Sequence, residues 1–288
     1  MGADRFCQSL GLCLIGLGTV FLLFVAAYPL GLVQAYPTPP VEAIEGPLGF
    51  EKKIGDLNGL YRGPNEPRQV YLERLTKAVA GGVVHYWTEG DRWTDTDARY
   101  TKISVFDNYV IWLLGWLPAY HDSFQNYEFL TPRKALDRGY GFCSQVSKIV
   151  YSILTEQGIP ATIYSAEQHT IVEVDGNVLD SDYGVLVPYP LALVEKDPSI
   201  VDSYYSDYED MLPLLHGAYG QPWHRLGTPE GFQSARSYET ILERLKWLPP
   251  VILLLIGVLL ATGGLLGRGP FVSAPKIFAF GRSPNRGA

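Results

Sequence analysis

The chain has 288 residues, of which 47% are hydrophobic, and a formal net charge of −7 at pH 7. That length is enough for one sizeable core and additional segments. Residues 36–247 carry 18 Lys and Arg against 29 Asp and Glu. Because nucleic-acid binding requires a basic face, this acidic middle region argues against a nucleic acid as partner.

Two apolar segments predict membrane-spanning helices. The first covers 10–35, after a short N-terminal end at 1–9, and the second covers 248–267. Each is long enough to cross a hydrocarbon layer of roughly 30 Å at about 1.5 Å per residue. A buried helix of a soluble protein normally has a polar face. The second segment has none, which favours a membrane span.

The first segment has an alternative interpretation as a cleaved signal peptide. The residues Val33, Gln34 and Ala35 resemble a signal-peptidase site. A signal peptide, however, usually has an apolar core of roughly 7–15 residues. The longer run found here favours an uncleaved anchor.

The charges beside the two segments predict the topology. The tail at 268–288 has four basic and no acidic residues, and the N-terminal end carries Arg5. Positively charged flanks stay in the cytoplasm. We therefore expect a two-pass membrane protein with both termini in the cytoplasm. A Pro/Gly-rich linker at 36–67 then leads to a periplasmic or extracellular domain at 68–247.

Within the domain, apolar spacing predicts first a helix over 68–84, then a polar loop over 85–100 and a core helix over 104–117. A further helix is expected over 143–157. Its apolar residues fall on one stripe, and Gly158 and Pro160 follow as stop signals. This pattern is typical of a helix that packs one face on a core.

Two strands should follow that helix and form a hairpin. The segment from His169 alternates apolar and polar residues up to the turn dipeptide at Asp175 and Gly176. With a two-residue turn, His169 faces Asp182, and Asp180 is its diagonal neighbour at roughly 7–8 Å. Side chains alternate between faces, so both carboxylates project to the side of the imidazole, and spacing alone does not choose between them.

Cys143 is the only cysteine between the two apolar segments. It stands where a glycine-rich turn becomes a helix, and the free N–H groups and helix dipole at such a place stabilise a thiolate. We therefore expect a lowered thiol pKa and a nucleophile. Its backbone N–H should face the oxyanion formed on attack. A buried structural thiol is the alternative.

The segment 137–184 resembles the core of the transglutaminase-like superfamily. The resemblance rests on a glycine-led cysteine at a helix start, a helix ending in Gly-Ile-Pro-Ala, a His that opens a strand and an Asp that closes the next. The matching positions are Gly141-Phe142-Cys143, Gly158-Ile159-Pro160-Ala161, His169 and Val178-Leu179-Asp180. The family often has a small residue and Trp after the His, and Pro after the Asp. Here Thr170 and Ile171 follow the His, and Ser181 follows the Asp, so the resemblance does not define the substrate type.

The resemblance implies an α+β fold with a papain-like core, in which a helix carrying Cys143 packs on an antiparallel sheet. It also implies a catalytic triad of Cys143, His169 and Asp180, with Asp180 preferred over Asp182. Such a triad attacks an amide or ester carbonyl and forms a thioester. Hydrolysis of a protein, peptide or envelope polymer is favoured over cross-linking, since nothing indicates a site for a second substrate.

Other interpretations remain open. The same fold can serve as a non-catalytic scaffold module in cell-envelope or surface-polymer assembly. A Cys–His–Asp metal site is a third possibility, although the closely spaced Cys and His pairs usual for zinc are absent. No cofactor is predicted, except that the acidic run 202–210 could bind calcium if it is more than a solvated loop.

Overall fold

A computed structural model describes residues 3–36, 54, 56–85, 102–121, 124, 127–167 and 169–266. The basic tail at 268–288, most of the linker and all of the predicted polar loop at 85–100 except His85 lie outside these residues. The chain divides into two compact units. One contains the two apolar helices, with the first helix counted up to Leu23, and the other runs from Phe24 to Trp247.

The helices are α1 (Ala3–Ala27), α2 (Arg68–Gly82), α3 (Val105–Leu114), α4 (Pro132–Arg138), α5 (Cys143–Glu156), α6 (Leu191–Val194), α7 (Leu212–Tyr219), α8 (Pro229–Leu245) and α9 (Leu248–Leu266). The strands are β1 (Val84–His85), β2 (Tyr140–Gly141), β3 (Thr162–Ser165), β4 (Thr170–Val174), β5 (Asn177–Asp180), β6 (Val185–Val187) and β7 (His224–Arg225). Short 3-10 helices cover Leu57–Leu60, Pro198–Tyr204 and Ser206–Met211.

Two helical stretches, Arg5–Ala27 and Pro229–Thr262, are long and apolar enough to cross a membrane. The two apolar helices pack through glycines, since a Cβ on Gly11 would lie 2.7 Å from the carbonyl oxygen of Gly257. The first helix, Ala3–Ala27, begins and ends earlier than the predicted bounds of 10–35. It ends at Ala27 because Pro29 disfavours helical backbone in the residue before it.

The larger unit is built on a five-stranded antiparallel sheet in the order β6-β5-β4-β3-β7, which confirms the predicted α+β class. The predicted hairpin register is also confirmed, because Val174 pairs with Asn177 across a two-residue turn. Asp175 and Gly176 both have positive φ, at 51° and 72°. A type I′ turn requires this backbone, and Asp-Gly is a favoured sequence for it.

Each face of the sheet carries its own apolar cluster. Val172 and Leu179 belong to the cluster that includes the buried sides of α2 and α5. Ile171 and Val178, which point the other way, belong to a cluster completed by the segment 191–219. Strand alternation therefore places α2 and α5 on one face of the sheet and the tyrosine-rich segment 191–219 on the other.

Two predictions around the N-terminal part of the domain need correction. The predicted core helix over 104–117 is shorter, and Trp116 beyond its end is 66% exposed. Part of the predicted linker packs on the domain, since Leu60 is buried and Glu66 pairs with Arg74 of α2 at 2.7 Å. Periodicity alone could not reveal that contact, because it joins a loop to a helix.

Candidate active site

Cys143 occupies the first position of α5, as expected. The chain approaches it through Gly141, where a Cβ would lie 2.5 Å from the Cβ of Gln145. The buried Gln145 amide exchanges two 2.8 Å hydrogen bonds with the backbone of Phe129. The glycine thus permits a tight turn, and Gln145 holds the beginning of the helix in place.

His169 and Asp180 lie in direct contact. Nε2 of His169 is 2.7 Å from Oδ2 of Asp180, and both side chains are buried. His169 stands immediately before β4, and Asp180 is the last residue of β5. The hairpin therefore brings the two residues together on one face, as its register predicts.

The other nitrogen of the His169 ring, Nδ1, faces Asp182. Asp182 places Oδ2 at 3.6 Å from Nδ1. One ligand atom from each of Cys143, His169 and Asp182 lies within 4.8 Å of the other two. The imidazole is thus held between Asp180 on one side and the thiol with Asp182 on the other.

Sequence reasoning missed two tyrosines that hold Asp180. The hydroxyls of Tyr205 and Tyr219 donate to its Oδ2 at 2.6 and 3.3 Å, and they lie 2.9 Å from each other. The backbone N–H of Asp182 donates to Oδ1 at 3.1 Å. Tyr205 lies in the acidic run that was considered for calcium, and no spacing rule links it to the hairpin.

Aromatic rings enclose the imidazole. The ring centroids of Tyr183, Tyr219 and Trp223 each lie 6.1 Å from that of His169, in edge-on geometry. Cys143 is 6% exposed, and so is His169. A cleft of about 570 Å³, lined by Asp182 and Tyr183 together with residues of α2, begins beside this enclosure.

Burial and charge act on each titratable group of the site. Burial alone would lower the pKa of His169, but the negative charge and hydrogen bond of Asp180 outweigh it and raise the pKa well above its usual value. Burial would raise the pKa of Asp180, yet the neighbouring His169 keeps it below the usual range. For Asp182 burial dominates, and its pKa is raised well above the ordinary value.

The thiol pKa differs from the prediction made from the helix start. Burial raises the pKa of Cys143 above its ordinary value, and the charge of Asp182 adds to this. Hydrogen bonds from His169 and Thr170 oppose the rise. The prediction of a lowered pKa is therefore wrong, because it considered the helix dipole but not the loss of solvent around the sulfur.

The acidic run 202–210 forms parts of two 3-10 helices. Its first carboxylate, Asp202, bonds Nε2 of His216. Over the described parts of the chain, the convergent group of three potential metal ligands is the one at Cys143, His169 and Asp182. Calcium binding by this run stays a prediction.

Comparisons with protein-family models, with curated proteins and with solved structures give no match. Fold and site define the class only as an α+β protein with two apolar helices that could cross a membrane and a buried Cys–His–Asp cluster.

Proposed function

We propose that this chain is a membrane-anchored thiol enzyme of the transglutaminase-like type. Cys143 is the nucleophile, His169 its base, and Asp180 the carboxylate that orients the imidazole. The observation that carries the proposal is the 2.7 Å contact between Nε2 of His169 and Asp180, with Cys143 buried within 4.8 Å of a nitrogen of the same ring. A base held by a third group is the general pattern of an activated nucleophile.

The arrangement supports acyl transfer through a thioester. The neutral form of the His169 ring takes the thiol proton of Cys143, and the sulfur attacks the carbonyl carbon of an amide or ester. The backbone N–H of Cys143 faces the resulting oxyanion. The imidazolium then returns the proton to the departing amine or alcohol, and water, activated by the neutral ring, hydrolyses the thioester. Hydrolysis is preferred over cross-linking, and the packing of α5 on the sheet supports the proposal of a papain-like core.

The proposed location follows from the two apolar helices and their basic flanks. Both termini lie in the cytoplasm, and the domain at 68–247 faces the periplasm or the exterior. The substrate is then a protein, a peptide or an envelope polymer. Alkaline phosphatase fused within the domain should be active, and the same reporter fused to the C-terminus should be inactive. The reverse result would overturn this topology.

The rate of Cys143 alkylation by iodoacetamide, measured against pH, tests the triad. The measurement uses full-length protein in which Cys7→Ser and Cys13→Ser leave one thiol. The hydrogen bond from His169 opposes the rise in thiol pKa, so His169→Ala should move the profile to higher pH and slow alkylation at pH 7.5. His216→Ala, which removes a ring bonded to Asp202 instead, is the matched control. A thiol pKa near about 8.5 that does not change in the His169→Ala variant would contradict the triad.

A second function has one observation in its favour. Cys143 is only 6% exposed, as expected of a buried structural thiol in a non-catalytic envelope scaffold. In that case iodoacetamide would modify Cys143 only after unfolding, and the native protein would form no thioester with peptide esters. Alkylation of the native protein at a rate that depends on His169 would exclude the scaffold interpretation.

A further inference from the structure

We propose that Cys143, His169 and Asp182 form a binding site for a thiophilic divalent cation, Zn²⁺ above all, which switches the nucleophile off while it is bound. The regulatory part of this inference rests on the proposed function, whereas the binding site itself does not. Three side chains of the types that zinc prefers, a thiolate, an imidazole and a carboxylate, converge here in one buried cluster.

The spacing of the ligand atoms suits a tetrahedral ion. With bond lengths of about 2.0–2.3 Å, ligand atoms around zinc lie about 3.3–3.7 Å from one another. Nδ1 of His169 and Oδ2 of Asp182 are 3.6 Å apart. No two ligand atoms in the group of three are more than 4.8 Å apart. Side-chain movements of about 1 Å would complete the geometry, with the fourth position left for water.

The opposite side of the imidazole is already arranged as in a metal site. A histidine that binds a metal through one nitrogen almost always donates its other N–H to a carboxylate or carbonyl, which fixes the ring. Asp180 accepts such a bond from Nε2 of His169 and is itself held by Tyr205. Nδ1 is thereby left free to face Asp182, whose Oδ2 lies 3.6 Å away.

The proposed triad gives no role to Asp182. One carboxylate, Asp180, is sufficient to orient the imidazole. In its ionised form, a second buried carboxylate beside Cys143 disfavours the thiolate that the reaction needs, because like charges repel strongly where water is excluded. A divalent cation reverses this effect, since the thiolate and carboxylate together then neutralise its charge.

The cation has a route to the site. Asp182 lines the cleft of about 570 Å³ beside the enclosure, and so do Asp207 and Glu73, of which Glu73 is paired with Lys77 at 2.9 Å. These carboxylates attract cations toward Asp182. On binding, the Cys143 thiol, the His169 ring and the Asp182 carboxyl release to solvent the protons that their raised pKa values retain. A sulfur–zinc bond forms and no electrons are transferred. The sulfur lone pair is then engaged and cannot attack a carbonyl.

Metal binding is tested with the full-length Cys7→Ser/Cys13→Ser protein in detergent micelles. One Co²⁺ per chain should bind and give a thiolate-to-cobalt charge-transfer band, which one equivalent of Zn²⁺ abolishes. Asp182→Asn should weaken Zn²⁺ binding more than about tenfold, since even changes outside the ligand shell cost about 10–100-fold. Glu230→Gln, at an exposed position that does not line this cleft, should leave the dissociation constant within about twofold. Absence of the charge-transfer band in the folded parent protein, or equal affinity in the parent and Asp182→Asn proteins, overturns the site.

Inhibition is tested separately by alkylation of Cys143. Zn²⁺ should protect the thiol from iodoacetamide, and EDTA should restore the original rate. Protection should need more than about tenfold more Zn²⁺ in Asp182→Asn. If Zn²⁺ binds but the metal-free protein never forms a thioester, the enzyme proposal fails while the metal site stands. If the thioester forms and Zn²⁺ neither binds nor slows it, the metal inference fails while the enzyme proposal stands.

Discussion

The hydroxyl of Tyr205 donates a 2.6 Å hydrogen bond to Oδ2 of Asp180, the same carboxylate oxygen that contacts His169. Tyr205 is completely buried and belongs to the segment that covers the second face of the sheet. A residue 25 positions away in the chain thus holds the carboxylate that orients the imidazole. Tyr205 is therefore a positioning residue, which acts on the thiol through Asp180 and His169.

We predict that Tyr205→Phe slows alkylation of Cys143 at pH 7.5 by about threefold to tenfold. Hydrogen bonds to charged groups contribute about 1.5–3 kcal/mol, and the bond from Tyr219 keeps part of that contribution. The pH profile should also move to higher pH, because a less firmly held Asp180 stabilises the imidazolium less. Tyr204→Phe, one residue earlier and half-buried, is the matched control. A variant that loses thermal stability but keeps the parent pH profile would show that Tyr205 is merely structural.

Replacing Asp182 should make the domain more stable at neutral pH. The folded state holds a proton on Asp182 more tightly than the unfolded chain does, because burial raises its pKa well above the ordinary value. This contribution to stability is present at low pH and is lost as the pH rises from about 4 toward the folded-state pKa.

In EDTA, Asp182→Asn should therefore melt a few degrees above the parent at pH 7.5, where about 1 kcal/mol corresponds to about 2–4 °C. The difference should shrink toward pH 4. Excess Zn²⁺ should reverse the order, because the cation stabilises only the protein that keeps its ligand. Differential scanning calorimetry measures both effects, and a variant less stable than the parent in EDTA at pH 7.5 would contradict the pKa argument.

Gly141→Ala should destabilise the domain by about 1–3 kcal/mol, as overpacked substitutions do. The new Cβ would lie 2.5 Å from the Cβ of Gln145, which is fixed by its bonds to Phe129. Gly217→Ala in α7 meets no atom within 4 Å and should be neutral or stabilising by up to about 1 kcal/mol. Denaturant titration distinguishes the two. Equal midpoints would show that the turn before Cys143 is not tight.

Gly11→Ile should weaken the packing of α1 on α9, since a Cβ on Gly11 meets the backbone of Ala261 at 2.5 Å. Gly16→Ile is the matched control, because a Cβ there meets no atom within 4 Å. Small residues at such positions allow close helix contact within lipid. Thermal melting in micelles should show a lower transition for Gly11→Ile alone, and an unchanged transition would contradict the contact.

Local patterns in the sequence determined much of this protein. Apolar length predicts the two candidate spans, although Pro29 ends the first one earlier than the apolar run does. Apolar periodicity predicts α5, and the turn chemistry of Asp175 and Gly176 predicts the hairpin register, so His169 and Asp180 could be placed on one face. Each of these features depends on residues close together in the chain, which is why the sequence alone reveals them.

Only the tertiary structure decided the environment of that site. The tyrosines that hold Asp180, the position of Asp182 beside Nδ1 of His169, and the raised pKa of Cys143 all arise from elements distant in sequence. Solvent removal and charge proximity depend on how those elements pack, and no spacing rule records them. The sequence therefore placed a thiol, an imidazole and a carboxylate near one another. The fold decided which carboxylate contacts which nitrogen and how far the thiol is shielded from solvent.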